Sequence, residues 1–188
     1  MHKCYIRCGF LKHRFIQSPP ANVTRPTSNI LKEAIFNVLQ HKLYYDFNNS
    51  SVIDLFAGFG ALGIESISVG SKNVLFVDSS KIATECIKGN LMTLKIETFA
   101  SIVCENAELV PDKFIFDFTK TAGSVLIFFD PPYGKTDCLI EQVLRLQKLF
   151  TGKAAVFVIE SNQKIHLSGF NAVYNIRHGK TLVSIAVL

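Results

Sequence analysis

From residue 51 onward the sequence alternates between short apolar segments typical of buried strands and longer amphipathic segments typical of helices. The segments predicted as strands are 52–56, 73–77, 102–104, 125–129 and 154–159, and those predicted as helices are 61–69, 80–95 and 137–150. The segments 171–176 and 181–187 are predicted to form a closing hairpin around His178-Gly179-Lys180. This order predicts an α/β fold with a doubly wound, mainly parallel sheet and an antiparallel edge. Residues 113–118 fit either a helix or a strand.

The first 50 residues follow a different pattern. Residues 4–9 and 13–17 are predicted as two strands of a small hairpin, which Ser18-Pro19-Pro20 ends. A loop at 21–27 follows, and Thr27 is predicted as the N-cap of a helix that runs to about His41. Residues 46–51 are predicted as a linker before the alternating part begins.

Positive charge is concentrated at the N-terminus. The net charge of the chain is +5, and the first acidic residue is Glu33. The basic residues that precede it are Lys3, Arg7, Lys12, Arg14, Arg25 and Lys32. This asymmetry indicates a polyanionic partner, a nucleic acid in preference to a membrane. The candidate nucleic-acid contacts are Lys3, Arg7, Lys12, Arg14 and Arg25.

Several classes of protein are not expected from this composition. The five cysteines are scattered without a framework spacing, so we expect free thiols in a reducing cytoplasm. Cys4 and Cys8 would lie too far apart on a strand to bind one ion, and no metal site is predicted. No apolar run approaches the ~18 residues of a membrane span, and basic residues interrupt the N-terminus where a signal peptide would be apolar.

A glycine-rich turn follows the first strand of the predicted sheet. Gly58, Gly60 and Gly63 fit the pattern G-x-G-x-x-G, in which the backbone turns sharply and approaches a ligand at the positive end of a helix. Asp78 ends the next strand, 20 residues after Gly58, where a carboxylate can accept hydrogen bonds from both hydroxyls of a ribose. The pattern predicts a cofactor that contains a nucleoside.

Asp54, which precedes the glycines, favours one of the two cofactors that fit this pattern. Both a dinucleotide and S-adenosylmethionine contain an adenosine. A carboxylate aimed into the crevice would repel a pyrophosphate but attract the ammonium group of a methionine. A phosphate-binding P-loop is excluded, because no Gly-Lys-Ser or Gly-Lys-Thr follows the turn.

The sequence Asp130-Pro131-Pro132-Tyr133 follows the strongly apolar segment 125–129 and borders the same crevice. Prolines stiffen this turn and offer no amide hydrogen, so the Asp130 carboxylate and the Pro131 carbonyl can accept both hydrogens of an exocyclic amine. Such acceptors localise the nitrogen lone pair, and the Tyr133 ring can stack on the base. We predict Asp130, Pro131, Pro132 and Tyr133 as the catalytic residues.

At these residues the chain resembles class I S-adenosylmethionine-dependent methyltransferases that act on exocyclic amines. More narrowly, it resembles the bacterial small-subunit (16S) ribosomal RNA guanine-N2 methyltransferase family, here called RsmD-like. The stretches that carry the resemblance are the hairpin ending at Pro19-Pro20, 24–27 with 32–37, 54–63, 130–133 and 174–182. The sequence departs from the family at His13, where glycine is usual, and at Phe10, where a basic residue is common.

The resemblance implies a Rossmann-like, seven-stranded sheet with the last hairpin at one edge, and a cytoplasmic monomer. It implies methyl transfer from S-adenosylmethionine to the N2 amine of a guanine in small-subunit ribosomal RNA, within the ribosomal subunit. The chain would divide into a basic hairpin appendage and loop (1–26) and a methyltransferase domain (27–188). The implied cofactor contacts are Asp54, Phe56, Gly58, Gly60, Asp78, Asn106 and Ala107.

Three other functions fit part of the sequence. A DNA adenine-N6 methyltransferase can share the Asp-Pro-Pro-Tyr turn, but it would usually need a larger target-recognition domain. A non-enzymatic RNA-binding module is compatible with the basic hairpin, but it leaves Asp54, Asp78 and Asp130 without a role. An NAD-dependent oxidoreductase is compatible with the glycine turn alone.

Overall fold

The computed structural model describes residues 3–19, 28–131 and 136–188. Among the residues predicted for the site, Arg25, Pro132 and Tyr133 lie outside these ranges. The strands are β1 (Lys3–Tyr5), β2 (Phe15–Gln17), β3 (Ser50–Leu55), β4 (Val74–Asp78), β5 (Ala100–Cys104), β6 (Ser124–Phe129), β7 (Ala155–Ser161), β8 (Ala172–His178) and β9 (Thr181–Val187). The helices are α1 (Asn29–Asn37), α2 (Ala61–Ser68), α3 (Lys81–Leu94), α4 (Asp112–Thr119) and α5 (Thr136–Leu149). Across the described ranges, no helix is both long enough and apolar enough to span a bilayer.

Seven strands form one sheet in the order β5-β4-β3-β6-β7-β9-β8. The first five of these are parallel, and β9 and β8 are antiparallel. Strand order reverses between β3 and β6, and ligands of doubly wound sheets bind at the carboxyl ends of the strands at such a switch point. The predicted fold class is confirmed.

The sheet is covered on both faces, which explains why its central strands are almost continuously apolar. One face packs against the small hairpin β1–β2 and helices α1, α2 and α3, through residues such as Val52 and Phe76. The other face packs against α4 and α5, through residues such as Ile53 and Val77. All six residues of β3 are buried.

Two local predictions need correction, and one open alternative is resolved. Helix α1 has Ser28 as its N-cap, one residue after the predicted Thr27, because the Ser28 hydroxyl accepts a hydrogen bond from the Leu31 amide at 3.1 Å. The ambiguous segment 113–118 lies in helix α4, where residues four apart are buried together. The predicted linker is ordered: it contains a turn of 3₁₀-helix at Phe47–Asn49, and its last two residues belong to β3. The Phe47 side chain is buried and its ring stacks on Phe36 at 5.9 Å, which packs this segment against α1.

The hairpin β1–β2 has shorter strands than predicted and shares the core of the sheet. Its inward side chains are buried together with those of α1 and α2; they are Cys4, Ile6, Leu11 and Ile16. The hairpin loop lies directly on the end of α2. A Cβ on Gly9 would stand 1.8 Å from the Ser68 carbonyl oxygen, so only glycine permits this approach. None of the described cysteines forms a disulfide bond.

His13 adopts a left-handed backbone conformation, with φ at 72°. This explains why glycine suits the position, since a Cβ is strained there. We expect His13→Gly to raise the free energy of unfolding by up to about 1 kcal/mol, measured by urea denaturation. Lys12→Gly is the matched control and should be destabilising, because Lys12 has no such backbone strain to relieve. Equal losses of stability in both variants would contradict the prediction.

Candidate active site

Three carboxylates meet at the carboxyl edge of the sheet, on three adjacent strands. Asp54 lies near the end of β3, Asp78 ends β4, and Asp130 directly follows β6. The strands pair in parallel with Asp54 opposite Phe128, so Asp130 follows two residues after that pair. The carboxyl groups are close enough that the charges of Asp78 and Asp130 both influence Asp54.

Asp54 is only 2% exposed, and its Oδ2 accepts a hydrogen bond from the Gly63 amide at 2.9 Å. Burial raises its pKa well above the usual range, and the charges of Asp130 and Asp78 raise it further, while the Gly63 hydrogen bond opposes the shift. A positive charge placed beside these carboxylates would be stabilised strongly. The electrostatics of the edge therefore favour a cationic ligand over a pyrophosphate.

The turn from β3 to α2 has the backbone conformation that its glycines permit. Gly58 and Gly60 have φ values of 57° and 84°, and Gly60 begins α2 without any side chain that caps it. Gly63 is required for close packing, because a Cβ there would lie 2.2 Å from the Phe76 ring. Phe56 also has a positive φ, of 61°, and is half-buried against the α4–α5 side of the core. The turn thus presents its backbone at the start of a helix.

Asp78 holds this turn in place. Its Oδ2 accepts a hydrogen bond from the Gly58 amide, and its Oδ1 accepts one from the Ser80 amide, both at 2.8 Å. A carboxylate has about four lone-pair sites, so two acceptor positions remain for ligand hydroxyls. The structure therefore brings the acid and the glycines of the predicted cofactor site together.

Asn106 and Ala107 follow β5, beside Asp78. The Glu105 amide donates to the Asp78 carbonyl at 3.1 Å, which continues the β4–β5 pairing past the end of the strands. Ala107 is buried in the core, and Asn106 is half-buried with its amide donating to the Glu105 side chain at 2.7 Å. Asn106 and Ala107 therefore lie where they can contact a ligand that extends along the carboxyl edge of the sheet from Asp54.

Asp130 and Pro131 are both half-buried at the end of β6. They follow Phe129, which is buried and stacks on Phe157 of the neighbouring strand at 5.7 Å. The close packing of β6 therefore fixes the position of Asp130, which directly follows this strand. The other two predicted catalytic residues, Pro132 and Tyr133, are outside the described part of the chain.

The predicted nucleic-acid residues differ in their surroundings. Lys12 and Arg14 are exposed in the hairpin. Arg7 forms an ion pair with Glu33 at 2.9 Å, so its charge is partly neutralised. For Lys3 the structure describes the backbone of β1 only, and Arg25 lies outside the described residues. The exposed, unneutralised basic surface of the described hairpin therefore centres on Lys12 and Arg14.

Sequence reasoning missed a buried ion pair that joins the hairpin to the main domain. Lys32 of α1 and Glu65 of α2 are both 0% exposed, with Nζ and Oε1 3.2 Å apart. Lys32 also donates to the Tyr5 carbonyl at 2.9 Å, and Glu65 accepts from the amides of Arg7 and Cys8 at 2.7 and 3.1 Å. Lys32, which the sequence analysis counted in the N-terminal charge but not among the nucleic-acid contacts, therefore adds nothing to the exposed basic surface.

A signal for this pair is present in the sequence. Lys32 lies three residues before Ile35 and four before Phe36, on the apolar stripe of α1 rather than on its polar face. A charged residue at such a position must find a partner of opposite charge in the core.

Asn90 of α3 connects the hairpin to the glycine turn. Its side chain accepts from the Gln17 amide at 2.8 Å and donates to the Gln17 carbonyl at 2.9 Å. The same amide group donates to the Phe59 carbonyl at 3.1 Å. The end of β2 is therefore fixed relative to the turn that follows β3.

The buried position of Asp54 predicts a cost in stability. Because its pKa is raised on folding, the folded state binds more protons than the unfolded state above the ordinary carboxyl pKa, and stability falls as pH rises through that window. We expect Asp54→Asn to raise Tm by several °C at pH 7.5, since about 1 kcal/mol corresponds to roughly 2–4 °C at this chain length. The gain should shrink as the pH approaches 4.

The exposed Asp117 of α4 supplies the control for this prediction. Asp117→Asn should leave Tm nearly unchanged across the same pH range, measured by differential scanning calorimetry. A lower Tm for Asp54→Asn than for the unsubstituted protein at pH 7.5 would show that the ionised carboxylate stabilises the fold.

The order of the strands, with an antiparallel hairpin at the end of the chain, is that of Rossmann-like methyltransferases. A family model described as "Conserved hypothetical protein 95" matches residues 4–186. The chain belongs to this family, and the RsmD-like resemblance noted in the sequence is confirmed.

Individual proteins agree with this assignment. The chain is 34% identical over 162 residues to the "Putative rRNA methyltransferase YlbH" of Bacillus subtilis (strain 168), which covers 86% of this chain and 77% of that protein. It is 30% identical over 166 residues to the "Ribosomal RNA small subunit methyltransferase D" of Buchnera aphidicola subsp. Acyrthosiphon pisum (strain APS), covering 86% and 80%. The solved structure of the "Putative methyltransferase yhhF from Escherichia coli" superposes with a TM-score of 0.73 at 20% identity, over 99% of this chain and 98% of that one.

Proposed function

We propose that this protein transfers a methyl group from S-adenosylmethionine to the exocyclic N2 amine of a guanine in small-subunit (16S) ribosomal RNA. The observation that carries the proposal is the meeting of Asp54, Asp78 and Asp130 at the switch point of the sheet, with Asp54 buried and its pKa raised. Such an edge favours a cationic cofactor. The names of the relatives support ribosomal RNA as the substrate.

The residues of the edge fit this cofactor. S-adenosylmethionine supplies a methyl group bound to a positively charged sulfur. Asp54 can attract the ammonium of the methionine part, and Asp78 keeps two acceptor positions for the ribose hydroxyls. The backbone of Gly58 and Gly60 allows close approach of the ligand, while Phe56, Asn106 and Ala107 border it.

Asp130 and Pro131 act on the amine. The Asp130 carboxylate and the Pro131 carbonyl would accept hydrogen bonds from the two amine hydrogens, so the nitrogen lone pair is available for attack instead of being delocalised into the aromatic ring. As the new N–C bond forms, the S–C bond would break, sulfur would keep the electron pair as a neutral thioether, and the methylated nitrogen would release one proton. Positioning provides most of the remaining catalysis. Pro132 and Tyr133 complete the turn in this proposal, with the tyrosine ring stacked on the guanine.

Residues 1–26 bring the RNA to the domain formed by 27–188. The exposed Lys12 and Arg14 contact backbone phosphates, which positions the RNA without reading its sequence. A single short hairpin offers too little surface to read duplex DNA, and an exposed RNA loop presents a base that is easier to extrude. The protein then acts as a cytoplasmic monomer on the ribosomal subunit.

The deciding experiment is methyl transfer from labelled S-adenosylmethionine to purified small ribosomal subunits, free ribosomal RNA and duplex DNA, followed by nucleoside chromatography. We expect label in N2-methylguanosine of the RNA. Label in N6-methyladenine of the DNA, with none in the RNA, would replace the proposal by a DNA adenine methyltransferase.

Asp78→Ala tests the cofactor position separately. The loss of charge-assisted hydrogen bonds to the ribose, about 1.5–3 kcal/mol, should weaken S-adenosylmethionine binding by tenfold or more. Isothermal titration calorimetry measures this, and NAD is the comparison ligand that should not bind. An unchanged Kd for S-adenosylmethionine would show that Asp78 does not bind the ribose hydroxyls.

A further inference from the structure

The C-terminal part of the chain carries a second concentration of positive charge. Glu160 is the last acidic residue of the chain, so the part that follows it contains basic residues only. Among these, Arg177 and Lys180 flank the turn between β8 and β9, and His178 lies beside them. We call the surface made of Arg177, His178 and Lys180 the C-terminal basic turn.

The side chains of the C-terminal basic turn are exposed to solvent. Gly179 between them has a φ of 60°, and a Cβ at this position would meet none of the described atoms within 4 Å, so the turn projects from the protein. Within the described ranges neither Arg177 nor Lys180 takes part in an ion pair, whereas Arg7 of the N-terminal hairpin does. The charges of the turn are therefore available to a partner in solution.

The sheet places this turn at the same edge as the candidate active site. β7 is parallel to β6, so both strands end at the carboxyl edge, where Asp130 directly follows β6. β9 is antiparallel to β7, and Leu182 pairs with Ser161, the last residue of β7. The hairpin β8–β9 therefore continues past the end of β7 and carries its turn beyond the carboxyl edge.

The strand order fixes where the turn lies relative to the cofactor and the target amine. The proposed cofactor residues Asp78 and Asp54 are on β4 and β3, while β7, β9 and β8 lie on the other side of β6. Neighbouring strands are about 4.7–4.9 Å apart, so β9 and β8 are about 10–15 Å from β6. The C-terminal basic turn therefore flanks the proposed position of the target amine, on the side away from the cofactor.

The charges along this part of the edge match the two chemical parts of a nucleotide. Asp130 and Glu160 are acidic and repel a phosphate, whereas the basic turn attracts one. A base whose amine reaches Asp130 can thus place its flanking phosphates against the turn. Resting on the proposed function, we propose that the C-terminal basic turn binds backbone phosphates of the RNA substrate next to the target nucleotide.

This surface is separate from the N-terminal hairpin that carries Lys12 and Arg14. Asn90 links the hairpin to the Phe59 carbonyl in the glycine turn, which belongs to the cofactor half of the edge. The C-terminal basic turn belongs to the other half. Phosphate contacts fix the register of a nucleic acid without reading its sequence, so the two surfaces together orient the RNA across the candidate active site.

The test removes the two full charges and keeps long polar side chains. We expect Arg177→Gln with Lys180→Gln to weaken binding of end-labelled 16S ribosomal RNA about tenfold or more at about 0.1 M salt, measured by filter binding. The slope of log K against log salt should become shallower by about 1.4–1.8, because each phosphate contact contributes about 0.7–0.9. The affinity for S-adenosylmethionine, measured by isothermal titration calorimetry, should not change.

The opposite edge of the sheet supplies a matched control. Lys72 and Lys120 are exposed and lie shortly before β4 and β6. Lys72→Gln with Lys120→Gln removes the same net charge and should leave RNA affinity and salt slope nearly unchanged. Arg177→Lys with Lys180→Arg keeps both charges and should bind RNA as the unsubstituted protein does. Thermal unfolding should give all three double variants a Tm near that of the unsubstituted protein.

Equal losses of RNA affinity in the two glutamine variants would overturn the inference, because net charge alone would explain them. It would also be overturned if the Arg177 and Lys180 variant lost binding to phosphatidylserine vesicles but kept its RNA affinity. If the turn contributes to binding of ribosomal RNA but the protein methylates no guanine in it, the surface stands and the proposed function fails. If the protein methylates that guanine and the variant keeps its KM for small ribosomal subunits and its salt slope, the proposed function stands and the inference fails.

Discussion

Replacing Asp130 with alanine is expected to lower kcat for methyl transfer by about 10²–10³-fold, the usual effect of removing one group that stabilises developing charge. The side chain accepts a hydrogen of the target amine, whose nucleophilicity matters only in the chemical step. S-adenosylmethionine affinity should fall little, if at all. Single-turnover kinetics with saturating RNA measure the effect.

Further measurements separate the expected loss of activity from a loss of structure. The charge of Asp130 raises the pKa of Asp54, so its removal relieves repulsion at the edge, and the Tm of Asp130→Ala measures whether the fold is kept. Asp130→Asn keeps one acceptor oxygen and should retain more activity than Asp130→Ala. Asp117→Ala, at an exposed position of α4, should leave kcat unchanged. A normal kcat for Asp130→Ala would mean that the residue only shapes the turn.

Lys32→Met should lower the free energy of unfolding by about 3–5 kcal/mol, because it leaves the buried Glu65 without its counter-ion. This is a large fraction of the stability of an ordinary domain. The hydrogen bond to the Tyr5 carbonyl is lost as well, so the hairpin should loosen together with the core. Urea denaturation followed by circular dichroism measures the change.

The chain offers a matched surface pair as the control. Arg7→Met removes the partner of Glu33 where both side chains are partly exposed, and we expect a loss of no more than about 1 kcal/mol. Adding Glu65→Leu to Lys32→Met should recover only part of the stability, since the amides of Arg7 and Cys8 lose their acceptor. Equal effects of Lys32→Met and Arg7→Met would contradict the prediction.

The order of elements in the sheet could be predicted because local signals and packing agree there. Segments such as 125–129 are apolar without interruption, which suits a strand covered on both faces, and the glycine turn marks the start of α2. The positions of Asp54, Asp78 and Asp130 at one edge follow from the parallel arrangement. Local patterns were therefore sufficient to predict that these three carboxylates lie at one edge of the sheet.

Long-range polar contacts could not be predicted in the same way. The partner of Lys32 is 33 residues further along the chain, and the partners of Gln17 are on Asn90, 73 residues away. Such pairs depend on how helices pack on the sheet, which no local pattern specifies. Helix α4 was ambiguous for a related reason: alternating phenylalanines resemble a strand, while burial of Ile115 and Thr119 selects the helix.

The hairpin β1–β2 can dock onto the rest of the protein during synthesis only after its partner residues have been made. Leu11 needs Ser68, and Gln17 needs Asn90, which are made 57 and 73 residues later. At about 5–20 residues per second, the ribosome takes roughly 4–15 s to add the longer of these intervals. Until α2 and α3 have been made, Ile6, Leu11 and Ile16 lack part of the core in which they are buried in the folded protein. The nascent N-terminus is therefore a natural client for chaperones that bind apolar segments, and a slowly translated message would prolong its exposure.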